Sequence, residues 1–181
     1  MTSLLTISGA LRAASTNRAL LAEAARLFAP GQHIDANLRL PLYDGDTEAA
    51  GIPPEVQLLA DQIADADAVV ISTPEYNKGL SGVLKNALDW VSRTKGDPWR
   101  NKPVAILSAA AGRAGGERAQ FSLRLCLVAF RPRLLSGPEV MLADSSAAFD
   151  AQGHLKDPRS HKALHDLMDA LRSEVGQPQA R

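Results

Sequence analysis

The sequence predicts an α/β domain built on a parallel sheet. Two observations carry that prediction. Apolar runs of strand length alternate with helix-period segments roughly five times, the pattern of β-α units with right-handed crossovers. The central runs are continuously apolar, as strands covered on both faces are. No internal repeat, low-complexity tract or linker appears in the 181 residues, so residues 1–181 read as one domain with a substantial core.

Residues 2–8 read as a short buried strand that ends at Gly9. Leu20, Leu21, Ala24, Ala25, Leu27 and Phe28 then mark one face of a helix, which stops at Pro30-Gly31. Residues 33–40 alternate apolar and polar side chains, which predicts a half-buried strand near a sheet edge, and residues 41–46 read as a loop. Pro53-Pro54 opens a helix that reaches about Ala66, since proline is tolerated in a first helical turn. Residues 68–72 are the clearest strand, followed by a loop over 73–81. Val83, Leu84, Ala87, Leu88 and Val91 recur at helical spacing, and residues 103–108 repeat the buried-strand pattern. After a stretch of small residues, Leu123, Leu125, Leu127, Val128 and Phe130 mark another helix. Residues 134–141 are expected to form the fifth strand, entered or interrupted by Gly137-Pro138. The last helix is expected over 158–175, with 176–181 as a frayed tail.

Composition excludes several function classes. Twenty Lys and Arg balance twenty Asp and Glu, and a nucleic-acid binder usually carries a basic excess. The single cysteine, Cys126, allows neither an intrachain disulfide nor a Cys-rich zinc module. No apolar run approaches the roughly 20 residues that span a bilayer, and no charged region precedes an apolar stretch at the start. A cytoplasmic location with no membrane partner is therefore expected.

In open α/β sheets, ligands sit beyond the carboxyl ends of the strands. Three loops occupy that position. The first carries Ala10, Leu11, Arg12, Ser15, Thr16 and Asn17. Free N–H groups at a helix start favour an anion, and Arg12 adds a fork suited to phosphate; the plainer alternative is a helix cap with a solvated arginine. The loop is neither a G-x-G-x-x-G fingerprint nor a Walker loop. The second carries Pro74, Glu75, Tyr76 and Asn77, then Gly79 and Gly82. Its stiffness, aromatic face and amide suit a planar heterocycle, against an ordinary surface turn. The third, from Ser108 through Gly112 to Gly115-Gly116, is small enough for a flat ligand to lie against the main chain, or is simply a linker.

Together these stretches resemble the NADPH-dependent FMN reductase family of the flavodoxin-like superfamily, in its quinone reductase, chromate reductase and azoreductase branch. The resemblance rests on Thr73-Pro74-Glu75-Tyr76-Asn77 with Gly82-Val83-Leu84-Lys85-Asn86-Ala87-Leu88-Asp89-Trp90, on Gly9-Ala10-Leu11-Arg12 with Ser15-Thr16-Asn17, on Pro41-Leu42-Tyr43-Asp44, and on Ser108, Gly112, Gly115-Gly116 and Arg118-Ala119-Gln120. It covers the chain to about Met141. It implies a flavodoxin-like, five-stranded parallel sheet in the order 2-1-3-4-5 with helices on both faces, and FMN at the switch point. It implies that residues 10–17 hold the FMN phosphate, chiefly through Arg12, Ser15, Asn17 and backbone amides. Pro74, Glu75, Tyr76 and Asn77 would line the isoalloxazine, with Ser108, Gly112 and Gly115 closing its other side.

The implied activity is transfer of a hydride from NAD(P)H through FMN to a quinone, flavin, azo compound or chromate. No catalytic side chain is then required, because the hard chemistry is the cofactor's. The chain departs from the family at Ala10 and Ala110, where serines are usual. One lost neutral hydrogen bond at Ala10 costs on the order of 1 kcal/mol. The family commonly forms dimers or tetramers, with the helix after the Pro-Glu-Tyr-Asn loop at the contact, and a partly exposed Trp90 would suit it. Alternatives are a flavodoxin-type electron carrier, a flavin-free binding domain, and a reductase that uses FMN as a dissociable substrate. Neutral charge speaks against the carrier. His161 and His165, four apart, make an incomplete metal set and read as a solvated helix face. The acidic trio Asp44, Asp46 and Glu48 reads as solvated surface. Arg113 and Arg118 are candidates for the extra phosphate of NADPH.

Overall fold

The computed structural model describes residues 1–175; the tail expected over 176–181 lies outside the described residues. Three strands rich in aliphatic residues form the centre of the sheet. They are β1 (Ser3–Ser8), β3 (Ala68–Thr73) and β4 (Pro103–Ala109), with β3 and β4 buried at every position. All pairings are parallel, and the path runs β2-β1-β3-β4-β5, the order expected. Leu5, Val69 and Val104 stand in register across the centre.

Side chains alternate across the strands, so each face has its own core. Leu4, Val70 and Leu107 face α1 (Thr16–Phe28) and α6 (Pro158–Val175), where Leu20, Ala24, Phe28, Leu164 and Leu171 pack on them. Leu5, Ile7, Ile71 and Ile106 face α3 (Pro54–Asp65), α4 (Gly82–Val91) and α5 (Glu117–Leu127).

The edges depart from the sequence expectation. β2 covers only Gln32–Asp35, not residues 33–40. Its register with β1 ends at Thr6 with Asp35; beyond Ala36 the chain leaves the edge, and Leu38 buries itself in the second core. The fifth strand is split. β5 (Arg133–Leu134) pairs with the start of β4, and β6 (Val140–Leu142) pairs with its end. Val104 partners Leu134 whereas Leu107 partners Val140, so three extra residues loop out around Gly137-Pro138.

A short helix α2 (Gly45–Ala50) begins at the end of the stretch read as a loop and runs past it. Asp44 caps it by accepting N–H bonds from Asp46 and Thr47, and none of its residues is buried, so no apolar periodicity announced it. Trp90 is fully buried rather than partly exposed. Its indole N–H donates to the Pro41 carbonyl at 2.8 Å, and Tyr43 meets its ring edge-on. Trp90 therefore offers no exposed surface for a subunit contact. A tryptophan buries too much area, and its N–H finds too good a partner, for the helix to turn it outward.

One charge is buried in the α1 face. Glu23 accepts bonds from Arg26 Nε and Nη2 at 2.8 Å each, and His154 Nδ1 lies at 3.1 Å. Burial alone would raise its pKa, but these partners outweigh burial and hold it down at about 2. His161 also turns toward Glu23, at 3.9 Å, while His165 pairs with Asp169 at 3.2 Å. The two histidines thus serve separate partners.

Candidate functional site

The carboxyl ends of β1, β3 and β4 bring the three loops together where the strand order reverses. Gly9 fixes how close the first two approach. Its N–H donates to the Ser72 carbonyl at 2.8 Å, and a Cβ there would lie 2.9 Å from Ser81 Oγ and 3.2 Å from Pro74 Cδ. Only glycine fits without displacing the second loop.

In the first loop, Ser15 is the N-cap of α1, and its buried hydroxyl accepts the Asn17 N–H. The capping role is therefore real, and it leaves the preceding main chain open. The N–H groups of Leu11, Arg12, Ala13 and Ala14 find no hydrogen-bond partner among the described residues. A cavity of about 420 Å³ opens against Ser8 and residues 13–16, and Arg18 also lines it. Arg12 is exposed. The first turn of α1 holds no acidic residue, and a cation there opposes the helix dipole, so Arg18 is placed where an anion would be needed to offset it. Sequence reading missed Arg18; that charge at a helix start was the available signal. Asp35 and His33 also line that cavity, and Arg12 lies outside it; the free donors of residues 11–14 with Arg12 and Arg18 nearby in the chain fit a phosphate group.

Ala10 is buried beside this pole, and Leu11 is half-buried against the second core. Thr16 Oγ1 hydrogen-bonds Ser145 Oγ at 2.9 Å, which ties the loop to a segment 129 residues away. Asn17 faces the sheet. Its amide donates to the Ala109 carbonyl at 2.9 Å and accepts from Ala109 N at 3.0 Å and Ser72 Oγ at 2.8 Å. It locks α1 to the ends of β3 and β4.

The second loop is a two-residue hairpin. Tyr76 and Gly79 exchange backbone bonds at 3.1 Å, and Asn77 (φ 49°) and Lys78 (φ 68°) both lie in the left-handed region. That conformation suits asparagine and strains lysine. Pro74 is buried beneath it, while Tyr76 and Asn77 stand exposed at the rim. Glu75 turns to the third loop: its Oε2 accepts the Arg118 N–H at 3.1 Å, and Oε1 lies 3.8 Å from the Arg118 guanidinium. Arg118 is thereby occupied, whereas Arg113 is exposed.

In the third loop, Ser108 is fully buried, donates to the Gly115 carbonyl at 2.7 Å and accepts from Gln120 Nε2 at 2.9 Å. Gly115 (φ 59°) lies so close to β6 that a Cβ would sit 2.5 Å from Met141 C and O. These residues shape the loop. Gly112 is open, with nothing within 4 Å of a would-be Cβ. The signature residues on α4 have a structural explanation. Asn86 donates to the Pro41 carbonyl at 2.9 Å and accepts the Tyr43 N–H at 2.8 Å, so with Trp90 it clamps residues 41–43.

The family model for NADPH-dependent FMN reductases matches residues 2–147. The chain belongs to that family. A relative from Pseudomonas aeruginosa, the NAD(P)H-dependent FMN reductase PA1204, is 47% identical over 167 residues, covering 91% of this chain and 90% of that one. A quinone reductase from Escherichia coli K12 is 39% identical over 140 residues, covering 75% of this chain and 74% of that one. Among solved structures, FerB of Paracoccus denitrificans, a flavoenzyme NAD(P)H:(acceptor) oxidoreductase, superposes with a TM-score of 0.87 at 32% identity, covering 97% of each chain. The reductase is thus an FMN-dependent oxidoreductase on a flavodoxin-like fold. No helix among the described residues is long and apolar enough to cross a membrane.

Proposed function

We propose that the reductase holds FMN between the three loops, draws reducing equivalents from NAD(P)H and delivers them to a small acceptor of quinone type. The observation that carries the reading is the run of unbonded N–H groups at residues 11–14, flanked by Arg12 and Arg18, between the carboxyl end of β1 and the start of α1. When bound, FMN supplies a ring that takes a hydride from nicotinamide and yields it to the acceptor.

The chain's own residues bind and orient. Leu11 to Ala14, with Ala10 and Thr16 beside them, offer backbone contacts to the phosphate, and Arg12 and Arg18 balance its charge. Tyr76 and Asn77 present an aromatic face and an amide from the hairpin, with Pro74 stiffening its base. Gly112 leaves room for a flat ring. Ser15, Asn17, Glu75, Ser108 and Gly115 act through the loops they hold. The whole chain works as one domain in the cytoplasm.

A homodimer or homotetramer belongs to the same reading, on a different helix from the one expected. Phe121, Leu125 and Val128 are 52%, 75% and 71% exposed and follow helical spacing on and just after α5. The stripe adjoins the Tyr76 hairpin, since a Cβ at Gly79 would contact Ser122 at 3.8 Å.

Flavin-free protein titrated with FMN and then assayed with NADH, NADPH and a benzoquinone tests the proposal. Quinone reduction that appears with FMN supports it. Turnover independent of added FMN, or none after loading, contradicts it.

A further inference from the structure

We propose that an apolar groove beside the cleft receives the carbon side chain of the electron acceptor, so that preferred acceptors carry an alkyl or isoprenoid substituent on the reducible ring. This rests on the reading of the cleft as the flavin site. The groove measures about 380 Å³ and runs from Leu11 of the first loop, past Leu38, Leu40 and Leu42, to Val83 on α4. Leu42 is 82% exposed at its rim. The groove borders the loops of the cleft: Leu11 belongs to the first loop, and Gly82 follows the second as the first residue of α4.

Its one side-chain amide is already partnered, and its one charged residue, Arg39, is exposed at the edge. Both ends of the Asn86 amide are bonded to residues 41 and 43, and Arg39 Nη2 donates to the Leu11 carbonyl at 3.4 Å. Five of the nine lining residues, Leu11, Leu38, Leu40, Leu42 and Val83, are aliphatic. A hydrocarbon chain needs no hydrogen-bond partners and gains from leaving water. The groove is also preformed, because Asn86 and Trp90 together fix the Pro41 carbonyl, so little ordering is required on binding. The reaction itself is unchanged: quinone, NAD(P)H and a proton give hydroquinone and NAD(P)⁺, with two electrons passing from nicotinamide to quinone.

The test uses flavin-loaded, full-length protein and two benzoquinones of similar potential, one bearing a methyl and the other a pentyl group. The proposal predicts a KM about tenfold lower for the pentyl compound, the scale expected when a few methylenes are buried. Leu42→Asp should bring the two KM values within about twofold without changing kcat for the methyl compound, since only a few methylenes lose their apolar wall. In leucine- and valine-methyl NMR, a redox-inert pentyl-substituted dimethoxybenzene should shift Leu40, Leu42 and Val83. Equal KM values in the parent protein, a preference that survives Leu42→Asp, or shifts confined elsewhere would overturn the proposal. So would Leu42 shifts that follow protein concentration without ligand, because a second copy of the chain would then cover the groove. If neither quinone is reduced, the flavin reading fails, and the methyl shifts still decide the groove.

Discussion

Glu75 straps the second loop to the third through Arg118, accepting its backbone N–H at 3.1 Å with the guanidinium 3.8 Å away. The carboxylate thereby caps α5, whose own N-cap, Gly116, has no side chain to do so. Replacing Glu75 with alanine should loosen both walls of the cleft. The expected cost is about 1 kcal/mol of stability, the usual worth of a cap, and FMN binding weakened severalfold. Glu75→Gln keeps the acceptor and should recover most of the loss. Urea unfolding and a flavin fluorescence titration measure the two effects.

Arg12 and Arg18 should discriminate FMN from riboflavin, which lacks the phosphate. Each substituted by alanine should weaken FMN binding by about 1–2 kcal/mol, the range for a partly exposed charge-assisted contact. Riboflavin affinity should stay within about twofold if the arginines meet only phosphate. Parallel titrations with both flavins check this. Equal losses for both ligands would remove the arginines from the phosphate.

Asn17→Ala removes three buried hydrogen bonds and leaves Ser72 and Ala109 without partners. Unsatisfied buried groups cost about 1–3 kcal/mol each before relaxation, so a loss of roughly 2–4 kcal/mol is expected. The urea midpoint should fall with an unchanged slope.

Gly115→Ala should be among the most damaging single-methyl additions. The new Cβ would fall 2.5 Å from the Met141 backbone, at a φ of 59° that alanine resists. Thermal unfolding should show a loss of about 2 kcal/mol or more, as for other strained, overpacked sites.

Glu23 sets an acid limit. Its folded pKa of about 2 lies below the ordinary 4.5, so its stabilising effect is complete above about 4.5 and is lost as pH falls toward 2. The shift corresponds to at most about 3 kcal/mol. Stability measured from pH 6 down to 2 should decline in that window, and Glu23→Gln should flatten the decline while lowering stability at neutral pH.

The central strands and the last helix were legible in the sequence because burial on both faces and helical periodicity leave direct marks: β3, β4 and α6 fall where the pattern puts them. The edges were not. β2 is short because its register with β1 stops at Asp35, and α2 rests on the Asp44 cap with no buried face to reveal it. At the candidate site, the sequence pointed to three loops that the structure brings together at the strand ends, but it could not show which way side chains turn. Asn17, Glu75 and Ser108 are polar residues in the candidate loops, yet their side chains bond to neighbouring protein groups. Ser145, which ties down Thr16, is distant in sequence and belongs to no motif.

The most direct measurement is an equilibrium titration of the purified, flavin-free protein with FMN, followed by flavin fluorescence and absorbance and repeated with Arg12→Ala and Tyr76→Ala. The account predicts saturable binding, weakened by the first substitution and spectrally altered by the second. Absence of saturable binding, or binding that neither substitution changes, would contradict it.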